Sequence, residues 1–142
     1  MIEKTKILIV DDEEVVRLSY LRTLSTEYCN VDAVMNGQDA LQMMGQRAFD
    51  VVLLDLRMPG MDGMTVLKTI KEKWPESEVI IITGYPAVDS AKQAVTLGAY
   101  SYLAKPVGPD DVINAAKAAV THKRWTLRHD QTAPSASFGS GQ

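Results

Sequence analysis

Short apolar runs alternate with amphipathic stretches along most of the chain. Three runs, at 6–10, 51–54 and 79–82, are almost entirely apolar, as expected of parallel strands that are covered by helices on both faces. Two others, at 31–35 and 99–103, are interrupted by polar residues, so we expect them at the edges of the sheet. The alternation predicts an α/β domain built on a parallel sheet of five strands.

The order of the strands follows from these expected edges. With the second and fifth strands outermost and right-handed crossovers, the common doubly wound arrangement that fits is 2-1-3-4-5. Helices of about three turns should fill the intervals. Asn36-Gly37 and Asp62-Gly63 mark the starts of the second and third helices, and Gly98 marks the end of the fourth. The fifth should begin near Pro109.

The composition fits one domain followed by a tail. The chain has 142 residues, 46% of them hydrophobic, which is enough for a single core. Fifteen Lys and Arg against eighteen Asp and Glu give a net charge of -3, so we expect no direct nucleic-acid contact. After Trp125 the residues are mostly small or polar. We therefore predict a domain over 1–125 and a flexible tail or linker over 126–142.

Membrane and soft-metal functions find no support in the sequence. No apolar run is long enough to cross a bilayer, and the first residues, MIEKTK, lack the apolar segment of a signal peptide. We expect a cytoplasmic protein without membrane contact. The single cysteine, Cys29, cannot form an internal disulfide, and both histidines come late, at 122 and 129. A bound metal should therefore be a hard cation with oxygen ligands.

Polar side chains stand where the predicted strands end. Asp11 and Asp12 follow the first strand, Asp55 the third, Thr83 ends the fourth, and Lys105 follows the fifth. Because the carboxyl ends of parallel strands meet at one edge of a sheet, we expect these side chains to converge. Three close carboxylates repel one another unless a divalent cation lies among them. Mg²⁺ suits a site of a few carboxylates and a phosphate.

The chemistry that this set indicates is phosphoryl transfer to Asp55. A carboxylate can attack phosphorus to form an acyl phosphate, and the reaction mainly requires positioning and neutralised charge. Lys105 and Thr83 can each bind a phosphoryl oxygen. Taken singly, each residue has an ordinary explanation as a helix-start acid, a turn former or a strand end. Their arrival at one edge in strand order favours the functional interpretation.

Four stretches resemble the receiver domains of two-component response regulators: ILIVDDE, DVVLLDLRMPGMDG, IIITGYP and GAYSYLAKP, within about residues 5 to 121. The resemblance implies a flavodoxin-like (βα)5 fold and a phosphoacceptor at Asp55. It also implies a Mg²⁺ ion bound by Asp11, Asp12, Asp55 and the backbone carbonyl of Arg57.

The same resemblance implies a switch. Thr83 and Tyr102 would form the switch pair, Lys105 would bind the phosphate, and the Lys105-Pro106 bond would be cis. The switch would change the surface of helix 4, strand 5 and helix 5 for an output domain, a partner protein or a phosphorylation-dependent homodimer.

The implied partner on the donor side is a sensor histidine kinase or a phosphotransfer protein. The domain would be a signalling module with self-catalysed phosphorylation and dephosphorylation rather than an enzyme for a separate substrate. The stretch DLRMPGMDG most resembles the sequences of receivers attached to enhancer-binding transcription activators. This chain departs from them after Trp125, where a Ser, Ala and Gly tail follows, so a stand-alone receiver and the front of a larger regulator both remain open.

Three other classes fit less well. A phosphatase of the haloacid-dehalogenase type needs an acid two residues after its nucleophile, where Arg57 stands. A flavodoxin-like electron carrier needs a phosphate-binding loop after the first strand, where residues 11–14 are four acids. A degenerate receiver, serving only as an interaction module, would lack acceptor-site residues that are all present here.

Overall fold

Five parallel strands form one sheet in a computed structural model of the chain, which describes residues 4–132. The sheet order is 2-1-3-4-5, so the expected fold class and both edge strands are confirmed. The elements are β1 (Thr5–Val10), α1 (Glu14–Leu24), β2 (Cys29–Val34), α2 (Gly37–Gln46), β3 (Val51–Leu54), α3 (Gly63–Lys73), β4 (Glu78–Thr83), α4 (Val88–Thr96), β5 (Ser101–Ala104) and α5 (Pro109–Thr132).

The core has two halves, one on each face of the sheet. Side chains alternate between the faces along each strand, so Leu8 and Val10 pack with α2, α3 and α4. Ile7 and Ile9 pack with α1 and α5. Fully burying one such side chain contributes about 1.5–3 kcal/mol. Successive residues of the central strands are therefore apolar, because they face the two halves of the core in turn.

The predicted helix boundaries are present and have identifiable causes. The Asn36 side chain accepts a hydrogen bond of 2.8 Å from the Asp39 N–H at the start of α2, and the Asp62 side chain caps α3. Gly98, the second residue after the end of α4, has φ +104°, a left-handed conformation that glycine adopts without steric cost. The caps at Asn36 and Asp62 fix loops at the carboxyl edge of the sheet, whereas Gly98 leads into the start of β5 at the amino edge.

Helix α5 is longer than the domain boundary at Trp125 suggested. It continues to Thr132, because residues 126–132 contain neither glycine nor proline to interrupt it. The loss of apolar spacing after Trp125 therefore does not mark the end of the helix. The rest of the predicted tail, 133–142, lies outside the described residues. Within 4–132, none of the helices combines the length and apolar character needed to span a membrane.

Candidate functional site

The strand register brings the predicted acids together. Val10 of β1 pairs with Leu54 of β3, so Asp11 and Asp55 emerge side by side at the carboxyl edge. The carboxylate oxygens of Asp11, Asp12 and Asp55 lie within 4.8 Å of one another. Asp11 and Asp55 are buried, whereas Asp12 is exposed. This cluster of oxygen donors can hold a metal ion, and its chemistry fits a hard divalent cation that is open to solvent on the Asp12 side.

The Lys105 ammonium group lies against the same carboxylates. Its Nζ is 2.8 Å from Asp11 Oδ2 and 3.3 Å from Asp55 Oδ2, and the more exposed Glu13 is 3.4 Å away. Burial opposes the charge of Lys105, but the hydrogen bond to Asp11 and the charge of Asp55 prevail and raise its pKa. Lys105 is therefore a permanent cation that can bind an anionic group at this edge. The Lys105-Pro106 bond is cis, as predicted.

Asp55 lies in a setting that disfavours its charge. Burial raises the pKa of its carboxyl group, and the Asp11 charge adds to this effect. The Arg57 N–H, which donates a 3.2 Å hydrogen bond to Asp55 Oδ1, and the Lys105 charge act in the opposite direction. A second cation near the three carboxylates would relieve the repulsion between Asp55 and Asp11.

The predicted switch residues both contact the loop before α4. Thr83 is fully buried, and its hydroxyl accepts a 3.1 Å hydrogen bond from the Tyr85 N–H. The Tyr102 hydroxyl is 3.0 Å from Ser90 Oγ and accepts a 3.3 Å hydrogen bond from the Ala87 N–H. Tyr102 is half-buried against the core rather than simply exposed on an edge strand. One loop therefore connects Thr83 at the site with Tyr102 on β5.

Sequence reasoning missed two contacts around Asp55. A Cβ atom on Gly63 would lie 2.5 Å from Leu56 Cα and 2.9 Å from the Asp55 carbonyl oxygen, so only glycine lets α3 begin directly against this loop. The Arg57 guanidinium lies 4.2 Å from the centre of the Tyr85 ring, which is a cation–π geometry. Gly63, the last residue of the MPGMDG stretch, could have indicated this close approach from the sequence. The Arg57–Tyr85 contact depends on how two loops meet and leaves no such signal.

Comparison with known proteins gives a consistent assignment. The family described as "Response regulator receiver domain" matches residues 7–117. The DNA-binding transcriptional regulator NtrC of Escherichia coli is 36% identical over 114 residues, which are 80% of this chain and 24% of that protein. The transcriptional regulatory protein ZraR of Salmonella typhimurium is 36% identical over 137 residues, which are 96% of this chain and 31% of that protein. The chain thus spans about a quarter to a third of these relatives.

Solved structures agree with the sequence matches. A CheY-like receiver domain from Methanospirillum hungatei superposes with a TM-score of 0.84 and 26% identity, covering 87% of this chain and 99% of that one. NtrX from Brucella abortus has a TM-score of 0.84 and 30% identity, covering 94% of this chain and 31% of its own. Together with the acidic cluster beside Lys105, these matches establish that the chain belongs to the response regulator receiver domain family, whose members are phosphoacceptor signalling domains.

Proposed function

We propose that Asp55 is the phosphoacceptor of this signalling domain. The observation that carries the proposal is a buried Asp55 carboxylate that lies close to two further carboxylates and 3.3 Å from the Lys105 ammonium. An Asp55 oxygen attacks phosphorus, the bond from phosphorus to the donor breaks, and an acyl phosphate forms. Hydrolysis reverses the modification when water attacks the phosphorus and restores the carboxylate. Both reactions are properties of the domain itself.

Asp11, Asp12, Asp55 and the backbone carbonyl of Arg57 would hold a Mg²⁺ ion. When bound, that ion neutralises phosphoryl charge and orients the transferring group. Asp12 is the exposed member and so the one through which the site opens to solvent. Lys105 would move its hydrogen bonds from the carboxylates to a phosphoryl oxygen, because its charge persists and its side chain is a flexible point charge.

Thr83 would respond to the phosphorylated state. Its hydroxyl accepts from the Tyr85 N–H, so its own proton is available for a phosphoryl oxygen on Asp55. A shift of Thr83 toward Asp55 would disturb the loop that also contacts Tyr102. Through that loop, we propose, phosphorylation changes the surface formed by α4, β5 and α5.

The partners that follow from this function are proteins. The phosphoryl donor would be a sensor histidine kinase or a phosphotransfer protein. The signal would pass to an output domain, a partner protein or a second phosphorylated copy. No direct contact with nucleic acid by this chain is required. A cytoplasmic location is proposed because kinases that feed such a domain draw their phosphoryl groups from cytoplasmic ATP.

Intact mass spectrometry after incubation with acetyl phosphate and MgCl₂ tests the proposal. The parent chain should gain one phosphoryl group and lose it again slowly, whereas Asp55→Asn should stay unmodified and folded. Asp12→Asn should be modified at least about tenfold more slowly, since a lost metal contact commonly costs that much. Asp89→Asn, an exposed acid on α4, is the matched control and should behave like the parent. An equal adduct on Asp55→Asn would refute the assignment, and steady turnover of acetyl phosphate would indicate a phosphatase.

A further inference from the structure

An apolar groove lies on the α1 and α5 side of the sheet, at the end opposite Asp55. Its volume is about 590 Å³, within the range of about 300–1,000 Å³ that binding pockets span. Ile7 and Cys29, near the amino ends of their strands, line its floor, and Leu24 at the end of α1 lines one wall. The groove exists because α1 stops at Leu24 while α5 continues to Thr132.

The α5 wall of the groove combines an apolar stripe with two cations. Ile113, Ala116 and Val120 recur at helical spacing along this wall. Lys117 and Arg124, both exposed, are the charged residues of the lining, and no acid is among them. They stand two helical turns apart, about 10.5 Å along the axis. Within residues 4–132, neither forms a salt bridge.

We propose that this groove binds an acidic amphipathic helix of a protein partner. Such a helix would lie along α5 with its apolar face in the groove, which is the helix-in-groove mode of recognition. Two carboxylates seven residues apart on its flank would match the spacing of Lys117 and Arg124 along α5. The segment 133–142 of this chain contains no acidic residue and does not supply these charges.

The surface is separate from the proposed phosphorylation chemistry. Thr5 and Cys29 begin their strands and line the groove, whereas Asp55 follows the carboxyl end of β3. A helix bound here would leave Asp55 open to a donor. The groove therefore suits a partner that accompanies the domain in either state, and its binding does not require phosphorylation.

A designed peptide pair provides the test. The probe is a 16-residue amphipathic helix with leucines on one face and glutamates at i and i+7 on its flank, and the second peptide has lysines in place of those glutamates. Titration into the ¹⁵N-labelled chain should shift the amides of Leu24, Cys29, Ala116 and Val120 with the glutamate peptide only. The double variant Lys117→Glu/Arg124→Glu should bind this peptide at least about tenfold more weakly, because two attractive charge pairs become repulsive.

Matched controls keep the outcome decisive. Lys68→Glu/Lys92→Glu changes the net charge equally at two exposed positions elsewhere and should bind the glutamate peptide like the parent. The lysine peptide should bind the Lys117→Glu/Arg124→Glu variant, which also shows that this variant is folded. Equal binding of both peptides to the parent, or shifts confined to another surface, would overturn the proposal. So would a dimer in sedimentation velocity that the Lys117→Glu/Arg124→Glu variant abolishes, because a second copy would then be the occupant.

Discussion

At the scale of single residues, Asp55 is held where its charge is unfavourable. Burial raises the pKa of its carboxyl group above the ordinary value of 3.8, and the nearby Asp11 charge acts in the same direction. Lys105 offsets part of this effect, but it forms its shorter contact, 2.8 Å, with Asp11. The position therefore costs stability in exchange for a carboxylate that gains from new cationic partners.

The first prediction is that Asp55→Asn is more stable than the parent at pH 7, by on the order of 1 kcal/mol or less. Because the folded state raises the pKa of Asp55, the charged Asp55 carboxylate destabilises the fold, and this effect is fully present above the folded-state pKa. It disappears as the pH falls below the unfolded value of 3.8. Urea unfolding at pH 7 and near pH 3 measures the difference, with Asp89→Asn as the control. A less stable Asp55→Asn at pH 7 would mean that the Lys105 contact outweighs burial.

Sequence reasoning identified the acids at the strand ends but not their different environments. Asp11 and Asp12 are adjacent, and successive side chains at a strand end point in opposite directions. Asp11 is buried and contacts Lys105, whereas Asp12 is exposed. The pattern DD carries no sign of this difference, because the direction of each side chain depends on the turn that leads into α1.

At the scale of elements, the start of α3 determines where the loop after Asp55 can lie. The second prediction is that Gly63→Ala destabilises the fold by about 2 kcal/mol or more, because its Cβ would lie 2.5 Å from Leu56 Cα. Gly45→Ala is the matched control in α2, where a Cβ meets nothing within 4 Å. It should stabilise by up to about 1 kcal/mol through helix propensity. Chemical denaturation of both variants measures the contrast, and a neutral Gly63→Ala would show that the loop can move away.

The loop between β4 and α4 is the element that connects the two proposed switch residues, Thr83 and Tyr102. The third prediction is that beryllofluoride, a phosphoryl mimic, shifts the amides of α4 and β5 in the parent and shifts them less in Tyr102→Phe. That variant loses the hydroxyl contacts to Ser90 and Ala87, worth about 1 kcal/mol. Tyr100→Phe is the control, since its ring packs against His122. Shifts confined to the loops around Asp55 in the parent would disprove the coupling.

Sequence reasoning located the five strands but did not predict how far α5 extends. The apolar runs were enough to predict the central strands, because a strand that is buried on both faces has a continuous apolar sequence. The extent of α5 could not be predicted in this way, because Leu127 is the only large apolar residue in the sequence of 126–132 and no apolar repeat marks the helix there. Lys117 on α5 lines the groove beside α1. Ser101 on β5 has a buried Oγ that finds no hydrogen-bond partner within residues 4–132.

At the scale of the whole molecule, the two ends of the sheet carry different sets of charged contacts. The carboxyl end carries Asp55 and its cationic partner. At the other end, Lys123 Nζ lies 2.5 Å from Asp50 Oδ1, and His122 contacts the buried Glu78. These contacts link the second half of α5 to the starts of β3 and β4. If Asp55 is phosphorylated as proposed, we expect the signal to pass through α4 and β5, which form no salt bridge within residues 4–132.

The last prediction concerns assembly. Val88 and Val95 are 70% and 63% exposed and lie seven residues apart, on the same face of α4. Exposed apolar side chains on the helix nearest the proposed switch suit a contact that we expect to form after phosphorylation. We expect beryllofluoride and Mg²⁺ to convert the chain from monomer to dimer in sedimentation velocity.

Val95→Glu should prevent that conversion without slowing phosphorylation by acetyl phosphate, because the substitution places a charge in the contact far from Asp55. Val15→Glu is the matched control: Val15 is 80% exposed but lies on α1, so this variant should still dimerise. If Val15→Glu blocks dimerisation and Val95→Glu does not, the activated contact lies on α1, and the path through Tyr102 and α4 is not the one that controls assembly.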